Sequence, residues 1–396
     1  MKSGHLLKSG KGRRLLLRER GGGETRVEPI ELFFDLVFVF AVTQLTHLLL
    51  DHLTPRGAAE TLLLLMAVWS AWSFTTWTTS WFDSRTLPVR LLLVGLMLGS
   101  LFMSAAVPQA FGAQGLAFAA AYVAIQVGRN WVTLVAIGRG HPLTSNFLRV
   151  LTWSVGLGIL WIAGGVAEGD RRVVLWALAV AIDYVVTWFG FPIPGFGRTR
   201  TPEWMIAGEH LAERNELFVI LALGESIVIT GATYGEAPRS GATVAAFIVA
   251  FIGSVALWWL YFDRGAPAGR EAIAQTVDPG GLGLSAYSYF HLPMVAGIII
   301  AAGGDELTIA HPLERATTAV PMLILGGPAL YLVGNALFNW ELSRRVPWSR
   351  LVAIAALVAL VPLAASTSAL VLMVAATVIL VALVVWDVRG RWSPPT

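Results

Sequence analysis

Twelve runs of about 20 predominantly apolar residues follow one another along the chain, each long enough to cross roughly 30 Å of hydrocarbon as a helix. They lie near 28–50, 58–81, 87–109, 115–137, 143–164, 172–191, 209–231, 241–262, 284–303, 317–340, 350–365 and 367–387. The last two meet near Ala365 and read equally well as one long broken helix, so the count is eleven or twelve. Hydrocarbon offers the backbone no hydrogen-bond partners, so runs of this length must be helices that satisfy their own amides. The fold class is therefore all-α, a polytopic transmembrane helix bundle, and the first partner is the lipid bilayer. Composition agrees: 56% of residues are hydrophobic and 13% charged, against about 25% charged in ordinary soluble domains.

The chain has no cysteine, which removes disulfides, thiolate catalysis, cysteine-ligated zinc and iron–sulfur chemistry. Its net charge of +3 could suggest nucleic acid as a partner, but the basic residues are sorted by topology. With the N-terminus inside, 21 of the 28 Lys and Arg fall on the inner side, five outside, and two, Arg129 and Arg214, within spans. That bias is the positive-inside pattern, and it places both termini in the cytoplasm. Residues 1–27 read as a basic cytoplasmic tail and 389–396 as a second one; Leu15–Leu17 is too short for the apolar core of a secretory signal. Trp77, Trp81, Trp258, Trp259, Trp340 and Trp386 are expected in an interfacial belt at the cytoplasmic ends of their spans. Nucleic-acid binding is excluded on this basis.

Short matches recur in preserved order. Glu31-Leu32-Phe33 in span 1 answers Glu216-Leu217-Phe218 in span 7, and Trp81-Phe82-Asp83 after span 2 answers Tyr261-Phe262-Asp263 after span 8. They predict a duplication into six-span halves, 28–200 and 201–388, of like orientation because six is even. Some secondary transporters are built this way, with their sites between the repeats.

Ionisable groups inside spans are costly and need partners or a water path. Spans 1 and 7 concentrate them. Glu28, Glu31 and Asp35 fall within about 60° of one another on a helix, and so do Glu209, Glu213 and Glu216; His210, Arg214 and Glu225 share a second face of span 7. Glu28, Glu31 and Glu209 sit in first turns, where capping or solvation explains a carboxylate. Asp35 and Glu225 lie deeper. Glu225 is about 16 Å beyond Arg214 along the axis and cannot pair with it. Arg129 in span 4 and Arg214 are the expected structural partners for the deep acids, and Asp183 in span 6 is a further acidic candidate.

These two helices also carry a resemblance. Glu28-Pro29, then Glu31-Leu32-Phe33-Phe34-Asp35-Leu36-Val37-Phe38-Val39-Phe40, and His210-Leu211-Ala212-Glu213-Arg214 through Leu223-Gly224-Glu225-Ser226-Ile227 resemble the two signature blocks of the bacterial low temperature requirement protein A family. The resemblance implies a multi-pass protein of the bacterial inner membrane linked to growth in the cold, with no established activity. It carries over Glu28, Glu31, Asp35, His210, Glu213, Arg214, Gly224 and Glu225 as motif residues.

The leading functional expectation is a transporter-like or ion-conducting protein. Glu31, Asp35, His210, Glu213, Arg214, Glu216 and Glu225 line an ion, proton or substrate path, with Glu28, Arg129, Asp183 and Glu209 as secondary positions, and a proton or small ion as partner. The alternative is a non-transporting structural or lipid-interacting protein that supports growth in the cold. No enzyme is expected: nucleotide-binding, zincin and nucleophile-elbow motifs are absent. No metal or cofactor is expected either, because His210 and Glu213 have ligand spacing but no second Glu-x-x-His unit joins them. Gly95 and Gly99 in span 3 report close helix packing and set no oligomeric state.

Overall fold

The computed structural model describes residues 27–316 and 319–389. Among them, twelve long helices follow the apolar runs: α1 Pro29–Asp51, α2 Pro55–Trp81, α3 Leu87–Ala106, α4 Gly115–Ile137, α5 Thr144–Val166, α6 Asp170–Trp188, α7 Gly208–Glu236, α8 Gly241–Leu260, α9 His291–Ala310, α10 Ala319–Ser343, α11 Trp348–Ala359 and α12 Ala369–Arg389. No strand forms among the described residues beyond two isolated bridges, Ile193 with Gly197 and Arg315 with Ser368. The fold is a polytopic helical bundle. Among the described residues, ten helices are long and apolar enough to cross a membrane. The two that fall short do so for different reasons: α6 opens on Asp170, Arg171 and Arg172 and carries Asp183, whereas α11, even with the turn Val361–Ala364 added, is apolar but short.

Local chemistry sets several helix ends. Pro29 opens α1 where its missing N–H costs nothing, and the Glu28 N–H donates to the Glu31 carboxylate at 2.9 Å, which caps the first turn. Ser240 caps α8 by accepting the Thr243 N–H at 3.1 Å. Gly138, at φ 74°, ends α4 in a conformation that side chains resist. Arg172 closes two other ends, donating to Ala110 O at 2.9 Å, Gly112 O at 2.6 Å, Ala167 O at 3.0 Å and Gly164 O at 3.2 Å. A basic residue of an expected external loop is thus a plug for helix C-terminal carbonyls. Spans 11 and 12 are separate helices. The link between them is pinned by backbone bonds from Ala369 N to Glu314 O and Leu370 N to Pro312 O, both 3.0 Å.

The chain divides into two compact units. Among the described residues, the first holds those up to Gln44, Ala59–Arg214 and Ile273–Leu284; the second holds Leu45–Ala58, Asn215–Ala272 and those from Ser285 onward. Thus α3–α6 belong to the first and α8–α12 to the second, while the division falls inside α1 and α7.

The first unit has two aromatic cores. Trp161, Trp176, Phe118 and Tyr122 form one, with the Trp176 indole donating to Trp161 O at 2.9 Å. Trp77, Trp81, Phe147 and Trp204 form the other. This corrects the interfacial belt at two positions: Trp77 and Trp81 are buried. The Trp81 indole N–H finds Trp204 O at 2.6 Å, so nothing draws it to the headgroups. Trp258, Trp259, Trp340 and Trp386 do remain exposed.

The second unit is built around α9 and α10, whose backbones touch. A Cβ at Gly297 would stand 2.4 Å from Tyr331 N, one at Gly327 2.5 Å from Ala301 N, and one at Gly334 2.8 Å from Met294 N. Small residues allow such approach where apolar burial gives no drive between helices in lipid. Two π-helical turns, Tyr261–Gly265 and Gly283–Tyr289, flank the start of α9.

Candidate functional site

Four ionisable side chains from α1 and α7 converge in the first unit, and all four, Glu31, Asp35, His210 and Arg214, are 0% exposed. The placement follows from helical spacing. Glu31 and Asp35 are one turn apart on one face of α1, and His210 and Arg214 are one turn apart on one face of α7. Phe33 and Leu36, on other faces of α1, point outward.

Asp35 takes a forked contact from Arg214, the Nε donating to Oδ2 at 3.2 Å and Nη2 to Oδ1. The Trp72 indole of α2 also donates to Oδ1, at 2.7 Å. Arg214 Nη1 lies 3.5 Å from Glu31 Oε1 and 3.4 Å from the Thr79 hydroxyl. Glu31 in turn meets His210 Nε2 at 3.1 Å and accepts the Ser84 hydroxyl at 2.9 Å. The Phe34 ring covers the guanidinium with its centroid 5.8 Å from Cζ. The cluster is therefore a chain, His210–Glu31–Arg214–Asp35, walled by Trp72, Thr79, Ser84 and Phe34. It brings two carboxyl groups, one guanidinium and one imidazole together.

The other residues singled out in the sequence are distributed differently. Glu31 is a cap, as its first-turn position suggests, but it is buried rather than solvated, because Ser84, His210 and Arg214 supply the partners that water would otherwise provide. Glu28 is half-buried, 3.9 Å from Arg85. Glu209 is exposed. Glu213 turns to the chain entering α1, accepting the Val27 N–H at 3.2 Å. Glu216 belongs to the second unit and pairs with Arg270 at 2.9 Å. Glu225, also in the second unit, is half-buried. Of the two arginines expected to answer the deep acids, Arg214 holds Asp35, whereas Arg129 binds neutral groups. Among the described residues, no group of three or more His, Asp or Glu side chains is spaced to hold a metal ion.

Reasoning from charge alone missed Trp72, Thr79 and Ser84, which complete the cluster. The readable signal was the run from Trp69 to Trp81, unusually rich in Ser, Thr and Trp for a span. It also passed over His291 at the head of α9. That ring is fully buried, its Nδ1 donating to Ala286 O at 2.8 Å and its Nε2 accepting the Tyr261 hydroxyl at 2.7 Å. The carbonyl contact fixes the tautomer.

Residues 26–385 match the family model described as bacterial low temperature requirement A protein (LtrA). The chain belongs to this family. Within it, the chain is 37% identical over 373 residues to an uncharacterized protein of Rhizobium meliloti (strain 1021), covering 94% of this chain and 91% of that one. No solved structure matches the chain. The family model spans both charged helices, so the Glu31–Asp35–His210–Arg214 cluster lies inside the part of the chain that defines membership.

Proposed function

We propose that this member of the low temperature requirement A family is a proton-linked transporter or ion-conducting protein, and that the His210–Glu31–Arg214–Asp35 chain is its protonation site. The observation that carries the reading is four ionisable groups, all fully buried on two membrane helices and in contact with one another. Intramembrane ionisable clusters of this kind are expensive to maintain, and their usual return is a proton or ion path. The recurrence of Glu-Leu-Phe at Glu31 and Glu216, each glutamate facing an arginine, supports two repeated halves.

A second reading, purely structural, is favoured by the Asp35 contacts, which tie α1, α2 and α7 together. His210→Gln separates the two. The substitution leaves the Asp35–Arg214 fork and the Trp72 contact untouched, so the melting temperature in detergent should stay within a few degrees. In proteoliposomes with an internal pH dye, proton entry under an imposed gradient should fall to the level of empty vesicles. Native-like flux in His210→Gln, or no flux from the unmodified protein under any proton or cation gradient, sinks the transport reading.

The 21-to-5 bias of basic residues supports an inner-membrane location with both termini in the cytoplasm. The absence of cysteine gives a silent background for labelling. In intact cells, Arg56→Cys should react with a membrane-impermeant maleimide and Arg198→Cys only after lysis; the reverse pattern inverts the topology. Membership of the low temperature requirement A family supports a role for this membrane activity at low temperature.

A further inference from the structure

The first unit holds a second polar cluster that the protonation site does not use, where α2, α4 and α6 meet. At its centre is Arg129, 1% exposed and one turn beyond the midpoint of α4. Its Nη2 donates to Gln126 Oε1 at 2.5 Å, and Nη1 donates to Ala71 O and the Thr75 hydroxyl, both at 3.3 Å. The Phe74 ring lies 5.4 Å from Cζ. The Nε–H has no hydrogen-bond partner among the described residues. One turn further along the same face of α4, the Thr133 hydroxyl is also buried, 1% exposed, and likewise without a partner.

The obvious counter-charge is held away. Gln126 spends both amide hydrogens, on Ser70 Oγ at 3.1 Å and the Tyr122 hydroxyl at 2.9 Å, and Ser70 donates to Asp183 Oδ2 at 2.9 Å. Donors therefore run in one direction, from Arg129 through Gln126 and Ser70 to Asp183. Two neutral side chains stand between guanidinium and carboxylate. A fully buried arginine at mid-span ordinarily answers its desolvation cost with a carboxylate or with backbone carbonyls. Arg129 has neutral acceptors only, and Thr133, with its unpartnered hydroxyl, follows it one turn along the same face of α4.

We infer that Arg129 and Thr133 form a binding site for a small monocarboxylate anion. A planar carboxylate matches the guanidinium edge better than a spherical or multiply charged ion does. It would accept the Nε–H on one oxygen and the Thr133 hydroxyl on the other, completing the two unsatisfied groups. The site lies near the midplane of its span, where transporters place substrates. The inference reaches past the protonation site and does not rest on it.

Binding is measured without any gradient, so its failure is distinct from a failure of proton flux. The full chain in lipid nanodiscs is titrated by calorimetry with sodium formate and sodium acetate, against sodium chloride and sodium phosphate at matched ionic strength. Saturable binding of formate or acetate is expected. Arg129→Gln should weaken it by about 10- to 100-fold, the worth of a hydrogen bond to a charged group, and Thr133→Val by about 3- to 10-fold. Thr133→Val deletes no charge and keeps the test open should Arg129→Gln not fold. No binding of either carboxylate, binding of chloride or phosphate alone, or native affinity in Thr133→Val would overturn the site.

Discussion

Asp35→Leu is expected to lower stability by about 3 kcal/mol, the low end of what breaking a buried ion pair costs when one charge is left behind. The stranded group is Arg214, which loses its forked carboxylate and keeps Glu31, 3.5 Å from Nη1, the Thr79 hydroxyl and the Phe34 ring. Glu31 is why the cost falls at the low end. Trp72 loses its acceptor as well. Arg214→Met strands Asp35 in the same way. The double variant Asp35→Leu/Arg214→Met removes both charges at once, and because apolar replacements of a buried pair are often neutral, it should recover most of the loss. Unfolding midpoints in detergent for the four proteins form the cycle. Costs that simply add would show that the two side chains do not act together. A double variant that is stable yet carries no proton flux would assign the pair to function.

Gly297→Leu is expected to be still more damaging, leaving little monodisperse protein on size-exclusion chromatography. At the α9–α10 contact even a methyl group would collide with backbone: Tyr331 N at 2.4 Å and Gly327 O at 2.7 Å from the added Cβ. Backbone cannot rotate out of the way as a side chain can, so the helices must separate, and Gly327 and Gly334 lose their contacts together. Overpacking costs about 1–3 kcal/mol where side chains can adjust, and more is expected when they cannot. Gly326→Ala is the internal control. Nothing lies within 4 Å of a Cβ there, and alanine favours helix by up to about 1 kcal/mol, so this neighbour should be neutral or stabilising. Equal damage from both substitutions would refute backbone contact as the cause.

Much of the site was legible because membrane helices make charge rare and spacing informative. Asp35 and Arg214 stood out as buried charges on helical faces, and the two do meet. Glu31 was read as a cap and is one, but its burial depends on Ser84 and on His210, which lie 53 and 179 residues away. Arg129 and Arg214 looked alike, each a lone arginine within a span. One forks onto a carboxylate and the other faces amide and hydroxyl groups, a difference set by what neighbouring helices present. Trp77 and Trp81 show the same limit, since an indole near a span end suits an interface or a core equally well until a carbonyl such as Trp204 O is placed beside it.

The sequence by itself determined the class, an all-helical membrane bundle, the approximate limits of its helices, and the two helices that carry the unusual charge. Those properties depend on hydrophobic length and on the 3.6-residue period, which are local to each segment. Only the tertiary structure decided which charges are paired, that Glu213 and Glu216 go to different partners, and that the hydroxyl-rich α2 serves both polar clusters of the first unit. Those outcomes depend on the rotation of one helix against another. Rotation is set by backbone approach and side-chain packing across many segments, and no single span encodes it.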